Sequence, residues 1–126
     1  MRPVSEFETL HGIIIGWYQY GSYGAEADTM WARSVEAIRE VASVYIALRY
    51  SSSVTSITAF LTSLGISTDN VEFLVTGTMF NVWVRDYGPE FAYKENGAPV
   101  VVEGGYYEQF RSILPISGIW STFMLR

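Results

Sequence analysis

The order of apolar and polar positions predicts alternating strands and helices in the first part of the chain. Residues 11–18 (HGIIIGWY) form an apolar run rich in β-branched and aromatic side chains, which is typical of a buried strand. Residues 21–24 then break the chain, and Asp28 or Thr29 can cap a helix. The apolar face of that helix is predicted to comprise Met30, Trp31, Val35, Ile38, Val41 and Ala42.

A second strand and a second helix follow in the same order. Residues 43–50 (SVYIALRY) have the composition of a strand, and the serines at 51–53 offer oxygens that can cap a helix. Gly65 stands where a helix end commonly needs left-handed backbone. Between these serines and Gly65, apolar residues recur at helical spacing and predict an amphipathic helix. They are Val54, Ile57, Phe60, Leu61 and Leu64.

The next segments predict strands joined by short turns. Residues 71–75 and 80–85 are candidate strands, and residues 90–93 continue the extended pattern. Asn96-Gly97 is a strong turn signal, and residues 100–103 would be the partner strand of a hairpin. The resulting order, β-α-β-α-β-β-β, favours a mixed α/β fold with a partly antiparallel sheet.

The apolar residues at the end of the chain follow neither the helical period nor the strand period. Residues 112–126 (SILPISGIWSTFMLR) are apolar, and Pro115 and Gly118 interrupt them. We therefore expect residues 1–107 to form the organised part and residues 108–126 to be an irregular tail.

Composition excludes several classes of function. The 126 residues carry a net charge of −5 without a Lys/Arg cluster, which disfavours nucleic-acid binding. An acidic surface suits cationic ligands, although mild acidity is also common in cytosolic proteins. There is no cysteine and His11 is the single histidine, so this chain lacks a thiolate nucleophile and the usual zinc ligands. No apolar run has membrane-spanning length, and we expect a cytoplasmic protein.

Residues 81–89 (NVWVRDYGP) are the segment best suited to chemistry. A strand that ends in Asp86 and turns at Gly88-Pro89 places a carboxylate where α/β folds often hold functional groups. A carboxylate accepts two parallel hydrogen bonds from a guanidinium, and the face of Trp83 can stack on that cation. Structural alternatives remain open, since Asp86 and Arg85 could form ordinary salt bridges or Asp86 could cap the turn.

Residues 83–89 (WVRDYGP) resemble the WxRDxGP signature of agmatine deiminases and bacterial peptidylarginine deiminases. Residues 2–8 (RPVSEFE) resemble the start of that family, and Trp17 at the end of the first apolar run matches its pattern. The resemblance extends over about residues 2–107. It implies a partial pentein, an α/β propeller built from ββαβ-type modules.

The resemblance also implies roles for individual residues. Asp86 would be the carboxylate that binds the substrate guanidinium, and Trp83 and Trp17 would lie at the substrate pocket. Arg85 is a further candidate at that pocket, where it would orient Asp86 or help close the site. The implied ligand is a small guanidine such as agmatine, on the route to putrescine, or an arginine peptide. No metal and no organic cofactor is implied.

In the family mechanism a cysteine thiolate attacks the guanidinium carbon, a histidine moves protons, ammonia leaves and water releases the ureido product. Neither group is present in its place, since His11 lies in the first strand region. Three interpretations stay open: an incomplete or split hydrolase, a guanidinium- or amine-binding module without turnover, and a vestigial structural oligomer. A propeller fragment leaves sheet edges open, so we expect a homo-oligomer or a complementary chain.

Overall fold

The computed structural model describes residues 1–5, 8–9, 11–18, 24–77 and 90–102. Two helices and two three-stranded sheets occupy these ranges, which confirms a mixed α/β fold. The strands are β1 (Arg2–Pro3), β2 (Gly12–Gly16), β3 (Ser43–Leu48), β4 (Val71–Val75), β5 (Glu90–Tyr93) and β6 (Pro99–Val102). The helices are α1 (Gly24–Ile38) and α2 (Ser52–Ser63).

The described residues fall into two compact units. One contains the described parts of residues 10–82, and the other contains those of residues 1–9 and 83–126. The predicted strand at 80–85 and the predicted tail at 108–126 lie outside the described residues, so both stay predictions.

The larger unit is a β-α-β-α-β arrangement with a parallel sheet in the order β2-β3-β4. Gly12 pairs with Ser43 at one end of the sheet, and Val44 pairs with Val71 across the other side of β3. The central strand β3 is buried most completely, because neighbouring strands cover both of its edges. This matches the near-continuous apolar run that predicted it.

The core of this unit lies between the sheet and the two helices. Val44, Ile46 and Leu48 alternate along one face of β3 and are at most 1% exposed. Both helices contribute to the same cluster, as expected for amphipathic elements that bury one face. Its other buried members are Ile15, Trp17, Ala32, Val35, Ile57, Leu61 and Ile66.

The start and end of α1 differ from the prediction. The helix begins at Gly24, so Asp28 lies inside it and is not its cap. It ends at Ile38, and Val41 follows in a turn at 83% exposure, so Val41 does not belong to the apolar face. Met30 is also exposed, at 53%, because the face that packs on the sheet is centred on Ala32 and Val35.

The end of α2 is as predicted, whereas its start is not. Ser51 occupies the N-cap position with helical backbone angles, and its side chain makes no capping hydrogen bond. At the other end Gly65 has φ of 74°, Gly65 N–H donates to Thr62, and Ile66 N–H donates to Leu61. These two bonds form a Schellman motif, which closes with the buried apolar pair Ile66 and Leu61.

The smaller unit is an antiparallel sheet in the order β1-β5-β6. β5 and β6 form the predicted hairpin around Asn96-Gly97. Lys94 N–H donates to Ala98, Gly97 N–H donates to Lys94, and Gly97 has φ of 79°. The left-handed glycine therefore closes a three-residue loop, which is a common hairpin connection. The pairing of Arg2 with Tyr93 adds β1, a two-residue strand that the sequence pattern did not predict.

None of the helices in the described ranges has both the length and the apolar character needed to cross a lipid bilayer.

Candidate functional site

Three of the four predicted site residues lie outside the described residues. Trp83, Arg85 and Asp86 belong to the segment between β4 and β5 along the chain, and their placement stays a prediction. Trp17 is described, and it is the residue from which a site can be built.

Trp17 follows the last residue of β2 and is held on three sides. Its backbone N–H donates to the carbonyl of Ala47 at 2.9 Å, which continues the parallel ladder by one residue. Its indole Nε1–H donates to Asp28 Oδ1 at 2.8 Å, and its ring meets the Phe60 ring edge-on at 6.4 Å. Only 5% of Trp17 is exposed, so its orientation is fixed by strand, helix and hydrogen bond together.

Trp17 also lines a cleft at the carboxyl ends of the parallel strands. Trp17 and Tyr18 come from the end of β2, and Leu48, Arg49 and Tyr50 come from the end of β3. The first two turns of α2 complete the described lining with Ser53 and Ile57. We call this the strand-end cleft; its volume is about 220 Å³. Crevices at this edge of an α/β sheet are a common position for ligands.

The strand-end cleft has one charged group in its described lining. The Arg49 guanidinium carbon lies 5.0 Å from the centroid of the Tyr50 ring, a cation–π contact. Both residues come directly after β3, and Tyr50 is 56% exposed. Asp28 accepts the indole hydrogen bond of Trp17 and is not part of the described lining.

Sequence reasoning missed Arg49, Tyr50 and Asp28. Arg49 and Tyr50 follow β3 directly, and strand ends next to turns often carry functional groups, so the same signal that marks Asp86 marks these two residues. Asp28 was interpreted as a helix cap, because no local pattern reveals its partner Trp17, eleven residues earlier in the chain.

His11 is exposed and stands immediately before β2, where its carbonyl accepts a hydrogen bond from Ser43 N–H at 3.3 Å. The described ranges contain no group of three His, Cys, Asp or Glu side chains that could hold a metal ion.

Arg2, Ser5 and Glu8 of the block that resembles the start of the deiminases interact in the smaller unit. Arg2 Nη1 and Nη2 both donate to the Glu8 carboxylate, and the Arg2 guanidinium lies 4.6 Å from the centroid of the Tyr93 ring. Glu8 Oε1 also accepts from Ser5 N–H at 3.0 Å. The Arg2 hydrogen bond lowers the pKa of Glu8, and the same bond raises the pKa of Arg2.

Comparison with known proteins gives a likeness of fold. No family model matches the sequence, and no curated protein matches it significantly. Among solved structures, the agmatine deiminase of C. jejuni superposes with a TM-score of 0.60 at 17% sequence identity. The match covers 81% of this chain and 30% of that enzyme, so the chain spans about a third of the length of its structural neighbour. The chain therefore has an α/β fold like that of one part of agmatine deiminase, a pentein.

Proposed function

We propose that this chain is part of a guanidine deiminase, a hydrolase that converts a guanidinium group to a ureido group and releases ammonia. The observation that carries the proposal is the likeness of fold to agmatine deiminase over 81% of the chain. The WVRDYGP segment at residues 83–89 supports it, because it supplies a carboxylate and an aromatic face suited to a guanidinium.

In this proposal Asp86 holds the substrate cation. A carboxylate that accepts two N–H bonds fixes both the position and the plane of a guanidinium, which leaves the central carbon open to attack from one face. Trp83 would stack on that plane, and Arg85 would orient Asp86. Trp17 would form a rigid wall, a role that its burial and its bond to Asp28 support.

The proposed reaction needs groups that the 126 residues do not contain. A cysteine thiolate would attack the guanidinium carbon, a histidine would protonate the amino group that leaves as ammonia, and water would then break the carbon–sulfur bond to release the ureido product. The sequence has no cysteine, so the nucleophile would come from a second chain or from further sequence. Agmatine and peptidyl arginine are both candidate substrates.

The second candidate is a guanidinium-binding module without turnover. The absence of cysteine favours it, because Asp86 and Trp83 could bind a cation without a nucleophile. In both candidates Asp86 binds the cation, and only the first candidate includes hydrolysis of the guanidinium.

We further propose that a second chain covers the open sheet edges. In the described part of the larger unit, β2 and β4 are the edge strands of the parallel sheet. Unpaired edges favour pairing with another strand. Sedimentation velocity over a range of concentrations tests this: a purely monomeric chain at all concentrations would argue against a homo-oligomer.

An ammonia-release assay beside titration calorimetry tests both candidates. The ligands are agmatine and a short arginine peptide, and the variants are Asp86→Asn and the control Asp69→Asn, whose side chain is 87% exposed. We expect binding that Asp86→Asn weakens by about 2 to 5 kcal/mol and Asp69→Asn leaves unchanged. Ammonia release by the chain alone would show that it needs no outside nucleophile. Equal binding by both variants would remove Asp86 as the anchor, and no binding by the unaltered chain would favour the vestigial interpretation.

A further inference from the structure

We propose that the strand-end cleft is a binding site for a small planar carboxylate, such as an aromatic acid. This inference does not rest on the deiminase proposal, which concerns a cationic ligand held by residues 83–89; the two share only Trp17 as a wall. It depends on three properties of the described lining: the cation Arg49, the aromatic side chains and the position at the start of α2.

Arg49 gives the cleft its preference for an anion. Its guanidinium carbon lies 5.0 Å from the centroid of the Tyr50 ring, a cation–π contact that needs no hydrogen bond. The guanidinium N–H groups can donate the forked pair of hydrogen bonds that a carboxylate accepts. Within the described residues no carboxylate pairs with Arg49, whereas Arg2, Arg33 and Arg39 each have one within 4 Å. Among the described residues, the cleft is therefore lined by a cation that has no acidic partner.

The walls favour a flat ligand. Trp17, Tyr18 and Tyr50 supply aromatic side chains to the lining, and Leu48 and Ile57 supply aliphatic ones. Trp17 is held in one orientation by Asp28, so this wall is organised before a ligand enters. A cavity of about 150 Å³ can accommodate benzene, and the 220 Å³ here leave room for a ring with one attached carboxylate.

The start of α2 adds to the same preference. Ser53 lines the cleft from the first turn of this helix, the first turn contains no acidic residue, and Ser51 provides no side-chain cap. The positive end of the helix dipole therefore favours an anion in the cleft, as the charge of Arg49 does. The charge, the shape and the dipole select the same class of ligand.

The test uses three ligands of nearly identical shape and different charge: benzoate, benzamide and benzamidine. Each is titrated into the ¹⁵N-labelled full chain while the Trp17 indole N–H and Ser53 amide signals are followed, with Trp17 assigned by its loss in Trp17→Phe. We expect benzoate to shift both signals saturably with a millimolar Kd, the range typical of so small a ligand. Benzamide should bind about tenfold more weakly and benzamidine more weakly still.

Arg49→Met removes the charge while keeping the length of the side chain, and Arg33→Met is the matched control on α1. Arg49→Met should weaken benzoate about tenfold, and Arg33→Met should leave its Kd unchanged. Benzamidine binding as well as benzoate, an unchanged Kd in Arg49→Met, or no shift at high millimolar benzoate would each overturn the proposal. The three-ligand series on the unaltered chain decides the question even if Arg49→Met does not fold.

Discussion

Gly12 is the position at which one added methyl group should do most damage to the parallel sheet. A β-carbon there would lie 2.8 Å from the backbone oxygen of Ser43 and would overlap the ring of Tyr45. The Tyr45 ring can rotate away, but the Ser43 oxygen cannot move alone. Ser43 is the residue paired with Gly12, and its own N–H donates to the His11 carbonyl. Gly12→Ala must therefore displace β2 from β3.

Overpacking of this kind costs about 1 to 3 kcal/mol, and the backbone contact places Gly12→Ala in the upper half of that range. In urea, with a slope of about 1 to 3 kcal/mol per molar, this lowers the unfolding midpoint by roughly 1 M. The assay is urea unfolding followed by far-UV circular dichroism. Gly24→Ala is the matched control, because a β-carbon at that helical position meets nothing within 4 Å.

We expect Gly24→Ala to be neutral or to stabilise the protein by up to about 1 kcal/mol, the difference in helix propensity. A free energy of unfolding for Gly12→Ala within about 0.5 kcal/mol of that of the unaltered chain would contradict this prediction. That result would mean that Gly12 does not face Ser43 and Tyr45, and the register of β2 on β3 would have to be different.

Three further predictions concern single contacts. Gly65→Ala places a β-carbon at φ of 74° and should cost about 1 to 2 kcal/mol of unfolding free energy, measured in urea. Asp28→Ala leaves the buried indole N–H of Trp17 without its acceptor and should cost about 1 to 3 kcal/mol; the cost should shrink in a Trp17→Phe background. Because Arg2 lowers the pKa of Glu8 below about 4.5, this pair adds stability above that pH and loses it as the pH falls through the lowered value. Glu8→Gln should therefore be less stable than the unaltered chain at pH 7 and equally stable in acid, as measured by thermal unfolding at each pH.

Each of these has an outcome that contradicts it. An unchanged midpoint in Gly65→Ala would argue against the Schellman motif, and equal losses for Asp28→Ala with and without Trp17 would show that the two residues do not interact. A constant difference between Glu8→Gln and the unaltered chain across the acid range would remove the Arg2 pairing as its cause.

The sequence predicted the larger unit well, because its signals are local. The apolar run of β3 predicts a strand that is buried on both faces, and the structure has one. Gly65 predicts left-handed backbone at a helix end, and its φ is positive there. The hairpin at Asn96-Gly97 was also predicted from a local signal, the turn dipeptide. Short-range periodicity and turn chemistry are sufficient for such elements.

Features that depend on distant partners were not predicted correctly. Asp28 looks like a cap by type, but its carboxylate bonds to Trp17, and α1 begins one turn earlier at Gly24. β1 has two residues and exists because β5 pairs with it, so no period could reveal it. The strand-end cleft likewise combines Tyr18, Arg49 and Ser53, which are joined only by the order of the parallel strands.

The two sheets differ in how much of the chain must be present before they can form. In the parallel sheet, Gly12 meets Ser43 across about 30 residues, whereas β1 joins Arg2 to Tyr93 across about 90. Loop-closure entropy makes the longer closure about 1 kcal/mol more costly. During synthesis β2, α1 and β3 can therefore associate while β5 is still untranslated. Among the described strands, β1 therefore comes first along the chain but pairs only after β5 has been made.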